Sequence, residues 1–178
     1  MFEGDRFSPT ERVMSVKAAA LSGGLTIFAW GIIAIVNAVT GDWGLDTQGL
    51  SLERFPTDWL DLGAWCQIAL TGITGALFGI TYRYVVRGDS NSHLGEGAFL
   101  AFALTRSFGS IETIVGLYQT STSTLALATL EELGQPIALY ALLVCVVIAL
   151  ENLMLFAIAR TGLILALRRN WITPFPNS

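Results

Sequence analysis

The sequence predicts an all-α polytopic membrane bundle of four spans, and three observations predict it. Charged residues make up 13% of the 178 positions against 53% hydrophobic, whereas a soluble domain carries about 25% charge. The charges are also clustered, leaving Ala18–Gly41 and Leu62–Tyr82 without a single Asp, Glu, Lys or Arg. Each of these stretches is long enough to cross ~30 Å of hydrocarbon at ~1.5 Å per residue. The expectation is one four-helix membrane domain over residues 1–178, with the lipid bilayer as its first partner.

The first span is expected over about 18–40. Ser8, Pro9 and Glu11 supply a capping residue, a proline at the first helical position and a glutamate at the third, so the helix should begin near Pro9 and end at Gly41. A cleaved leader is the alternative, since Val36-Asn37-Ala38 resembles a small-residue cleavage site. The apolar run exceeds the ~7–15 residues of a signal segment, which favours a retained anchor. Residues 41–60 form an acidic connection rimmed by Trp43, Phe55, Trp59 and Trp65, an interfacial aromatic belt. It lacks the alternating Asp spacing of a calcium loop.

The second span, about 61–86, carries Gly75 and Gly79 in a small-xxx-small pattern that lets helix backbones approach closely, within the chain or against a partner. Tyr82, Arg83, Tyr84 and Arg87 close it, and together with Gly75 and Gly79 they are the candidate helix-packing or partner-contact residues. The third span, about 96–118, holds Arg106 and Glu112 with Ser107, Ser110 and Thr113, so it should be shielded from lipid. A short interfacial helix is expected at about 125–133, ended by Gly134. The fourth span starts at Pro136 and runs to about 160, with a helical tail reaching toward Arg169 that has to leave the membrane.

Eight of the ten basic residues flank the spans on one side: Arg6, Arg12, Lys17, Arg83, Arg87, Arg160, Arg168 and Arg169. The positive-inside rule places both termini and the middle loop in the cytoplasm or stroma. The net charge of −4 offers no contiguous cationic face, and nucleic-acid binding loses its main electrostatic term. Cys66 and Cys145 lie in apolar segments and read as small packing residues. A single histidine and no Cys-x-x-Cys or His-Glu-x-x-His run argue against a metal site. Nucleophile elbows, phosphate loops and dinucleotide fingerprints are missing as well, which points away from an enzyme.

Charges inside spans are the best pointers to function, because an ion at mid-bilayer costs ~2.5–3.5 kcal/mol even on the lenient insertion scale. Arg106, Glu112 and Glu151 form the candidate intramembrane cluster. Arg106 lies ~15 Å deep in the third span and Glu151 ~22 Å from the far face in the fourth, so the two can meet near mid-membrane. Either they clamp helix register, or they serve as a proton relay, a substrate-charge site or a pigment ligand. Glu112, about 240° round the helix from Arg106, lacks that partner and is the candidate for reversible protonation. His93 in the middle loop reads as a solvated or interfacial histidine; its functional alternative is a single ligand to a chlorophyll magnesium, or a pH-responsive contact.

Gly79-Ile80-Thr81-Tyr82-Arg83-Tyr84-Val85-Val86-Arg87, with Asp89, Asn91, Leu94 and Gly97-Ala98-Phe99-Leu100-Ala101-Phe102 up to Arg106, resembles an uncharacterised multi-spanning family of cyanobacteria and plastids. The resemblance covers about thirty residues. It implies a photosynthetic setting, in a cyanobacterial inner or thylakoid membrane, and it transfers no activity. Light-harvesting proteins are a second comparison, but their Glu-x-x-Asn-x-Arg run is missing: Asn152 directly follows Glu151 and no arginine comes before Arg160. The resulting expectation is a non-catalytic accessory or assembly component of a larger membrane complex. A small transporter or channel is the alternative, as is a binder of chlorophyll, carotenoid or quinone.

Overall fold

The structure, a computed structural model, describes residues 9–42, 61–86, 92–120 and 137–173, with side chains described over 9–39, 61–86, 93–113 and 142–173. Among the described residues all regular structure is α-helical: α1 (Pro9–Asp42), α2 (Leu62–Val85), α3 (Ser92–Thr120) and α4 (Ile137–Arg168). Three segments, Pro9–Val39, Leu62–Val85 and Leu142–Arg168, are long and apolar enough to cross a membrane. The expected helix at 125–133, the aromatic belt apart from Trp65, and Arg87 lie outside the described residues.

The helices begin and end where local chemistry dictates. α1 starts at Pro9, whose fixed φ suits the first helical turn. Its 34 residues make a rod of about 51 Å, so its first turns project beyond the hydrocarbon. α2 is capped by Asp61, whose carboxylate accepts the Ala64 amide at 3.1 Å. α4 continues past Arg160 to Arg168 and closes in a left-handed turn at Asn170, with φ 56°. The Trp171 amide donates to the Ala166 carbonyl at 3.0 Å and the Asn170 amide to Leu167 at 3.1 Å. This is a Schellman turn with asparagine in the place glycine usually takes. It folds the chain back, so Ile172 is buried while Trp171 stays exposed.

α1 and α2 pack through small residues. A methyl added at Gly79 would strike the Ala18 carbonyl and Ser22, one at Gly75 would fall on the Thr26 side chain, and one at Gly23 would lie 2.9 Å from the Gly72 carbonyl. The Gly75/Gly79 pattern is therefore used inside the chain, against α1. Farther along α2, Phe78 and Tyr82 join Phe102 of α3 and Phe156 of α4 in one aromatic cluster. The Phe78 ring lies 5.5 Å from Tyr82 and Phe102 and 5.3 Å from Phe156 between centroids. Tyr82 and Arg83 are 4% and 2% exposed, so the closing edge of the second span turns inward, with Tyr84 half-buried beside it. Cys66 is exposed and Cys145 partly buried, so the first of them points away from the helix packing. Leu70, Ile73, Leu77, Leu142, Leu150 and Leu165 also face outward, as an apolar solvent allows.

Candidate functional site

Arg106 lies on the face of α3 turned toward α2 and α4, and its guanidinium is met by three neutral oxygens. Nε donates to Asn152 Oδ1 at 2.9 Å, Nη1 to Thr74 Oγ1 at 3.2 Å and Nη2 to Thr71 Oγ1 at 2.7 Å. Each acceptor is itself held. Thr71 donates its proton to the Gln67 carbonyl at 2.8 Å, Thr74 to Leu70 at 2.8 Å, and the Asn152 amide to Ile148 at 3.0 Å. The Thr26 hydroxyl of α1 lies 3.2 Å from the Thr71 carbonyl, which extends the network to a fourth helix. Thr26, Thr71 and Asn152 are all buried.

The structure distributes Arg106, Glu112 and Glu151, the three charges expected inside spans, instead of gathering them. Arg106 bonds Asn152, the residue after Glu151; Glu151 accepts the Asn37 side-chain amide of α1 at 3.0 Å. Successive residues of a helix point about 100° apart, so Glu151 turns to α1 while Asn152 turns to α3. Glu112 is exposed on the outer side of α3, apart from both. The helix-register clamp thus exists with a different partner: among the described residues, Arg106 is bonded by an amide and two hydroxyls. Hydropathy carries no sign of these acceptors, though Thr71 and Thr74 at i and i+3 share a helix face.

A second arginine is buried at the end of the bundle where α1 begins. Arg83 Nε donates to the Thr173 carbonyl at 2.9 Å, and Nη1 donates to the Glu11 carbonyl at 3.0 Å and to the Ser15 hydroxyl. It ties the first turns of α1 and the end of α2 to the segment after α4. The same end carries His93, whose side chain is 86% exposed and 3.8 Å from Glu96. Glu96 also lies 3.5 Å from Arg160, whose guanidinium carbon sits 5.7 Å from the centre of the Phe99 ring. Among the described residues no three His, Cys, Asp or Glu side chains converge as a metal site.

No protein-family model, curated protein or solved structure matches the chain.

The two members of the Arg106–Asn152 bond should differ in what their removal costs. Arg106→Leu takes the charge away and leaves the threonine hydroxyls on their own carbonyls, whereas Asn152→Leu removes the Nε acceptor from a half-buried guanidinium that keeps its charge. Asn152→Leu is expected to lower the detergent-solubilised melting temperature more, by the equivalent of about 1.5–3 kcal/mol. A larger loss for Arg106→Leu would show that the charge itself stabilises the bundle.

Proposed function

We propose that this chain is a non-catalytic accessory or assembly subunit of a larger membrane complex, with four spans and both termini on the cytoplasmic or stromal side. What carries the reading is the outer face of α3. Gly97, Ala101, Thr105, Gly109 and Thr113 recur every four residues along it and are all exposed, with Glu112 beside them. Gly97 and Gly109 have open space where a side chain would project. The small residues of the α1–α2 contact bring two helices together in the same way, so a partner helix can lie close along this face and cover the Glu112 carboxylate. The internal polar groups point the same way. Arg106, Arg83 and Glu151 bond neighbouring helices, as residues that hold a scaffold do.

A photosynthetic membrane, cyanobacterial or thylakoid, is the proposed setting, supported by the resemblance over residues 79–106. Copurification in mild detergent tests the reading. The tagged chain should bring down a stoichiometric membrane-protein partner, and Gly109→Leu should reduce that partner at least tenfold while the monomer keeps its own elution volume and melting temperature. Elution of the wild type alone would remove the accessory reading. Proteoliposome flux abolished by Arg106→Leu would put a transporter in its place.

A further inference from the structure

Beside the Arg83 knot, the start of α1 and the turn after α4 leave an open cleft of about 500 Å³. Its walls are Met14 and Leu21 of α1 with Ala166 and Ile172 from the end of α4, the last two buried. Its rim is Lys17, Asn170 and Trp171. Lys17 and Trp171 are exposed, and so are Arg168 and Arg169, on the turn that carries the rim. We propose that this cleft holds an anionic phospholipid, with its phosphodiester against Lys17 and the upper part of an acyl chain between Leu21 and Ala166.

Three features select that occupant. The rim sets one cation, Lys17, at the end of an apolar slot, with the exposed Arg168 and Arg169 just before the turn that forms the rest of the rim, and a basic pocket between membrane helices recognises anionic head groups. A free anion gains nothing from the Met14, Leu21 and Ala166 walls, while a wholly apolar ligand leaves the lysine unused. Trp171, 64% exposed, puts on the rim an indole, a side chain enriched where head groups meet acyl chains. Asn170 contributes by backbone shape: its left-handed conformation turns Trp171 and Ile172 back over α1, which closes the slot on one side. A zwitterionic lipid would bring its own ammonium group toward Lys17, so charge sets the preference. The inference is independent of what covers α3.

Native mass spectrometry of the full chain, delipidated and then equilibrated with micelles containing dioleoyl phosphatidylglycerol or dioleoyl phosphatidylcholine, tests it. Phosphatidylglycerol should be retained in preference, and Lys17→Gln should lower its retention about fivefold, the effect of one basic residue at a membrane surface. Lys17→Arg should preserve the preference. Arg12→Gln, an equal charge loss at an exposed position outside the cleft, should leave it unchanged. A brominated phosphatidylglycerol should quench indole fluorescence in the wild type and less in Trp171→Phe. Equal retention of the two lipids overturns the proposal, as does an equal loss in Lys17→Gln and Arg12→Gln. Displacement of the lipid by inorganic phosphate would also overturn it, since the slot would then read a bare anion.

Discussion

Gly79→Leu should separate α1 from α2 and give the largest loss of stability of any single substitution in the bundle. A side chain at that position meets the Ala18 carbonyl and the Ser22 side chain, and backbone cannot retreat as a flexible side chain does. Overpacking in a dense interior costs ~1–3 kcal/mol, and rigid backbone places this case at or above the upper end. The damage should spread, because the same interface carries the Thr26–Thr71 contact that supports one of the acceptors of Arg106. Gly24→Leu is the matched control: Gly24 lies on the same helix, is exposed, and has nothing within 4 Å of an added side chain. Thermal unfolding in detergent, followed by size-exclusion of the heated sample, should show a fall of many degrees for Gly79→Leu and little for Gly24→Leu. Equal behaviour of the two would mean that α1 and α2 are not held together through this face.

Arg83→Met is expected to free the segment after α4. The substitution keeps much of the apolar stem but removes the donors that reach the Thr173 carbonyl, the Glu11 carbonyl and Ser15. Hydrogen bonds from a charged group are worth ~1.5–3 kcal/mol each, and the stranded carbonyls regain part of that from water at the membrane edge. A net loss of about 3 kcal/mol follows. Arg83→Lys should recover little, because an ammonium on a single stem cannot span acceptors set in a planar fork. The direct readout is Ile172→Cys, 3% exposed in the native packing. Its labelling by a maleimide should be slow in the parent and fast when combined with Arg83→Met. Slow labelling in both would show that the Schellman turn alone holds the tail in place.

Much of this architecture is legible in the amino acids. Charge-free runs mark the first and second helices, Ser8-Pro9-Thr10-Glu11 marks the start of the first at Pro9, and the glycine spacing of the second announces a close contact. What that pattern leaves open is rotation. Gly75 and Gly79 fit a partner as well as a neighbour until α1 is seen lying on them, and Arg83 at the end of an apolar run reads as a surface residue until the Thr173 and Glu11 carbonyls and the Ser15 hydroxyl converge on it. The same limit applies to Arg106 and Glu151. Depth along a helix follows from counting residues, and on depth alone the two can pair. Direction depends on packing, and a single step from Glu151 to Asn152 changes the helix that is addressed. Hydroxyl acceptors add a further difficulty, since Thr barely moves a hydropathy profile, yet Thr71 and Thr74 help Asn152 hold a cation.

The arrangement around Arg106 also bears on how such a protein is assembled at the translocon. The α1–α2 hairpin precedes α3 in the chain and presents two of the acceptors among the described residues, Thr71 and Thr74. In the proposed four-span arrangement, a nascent α3 entering lipid alone would carry an ion costing ~2.5–3.5 kcal/mol; entering alongside a finished hairpin, it finds a receptor for its guanidinium already in place. Asn152 arrives only with α4, so that last helix completes a socket that its predecessors opened.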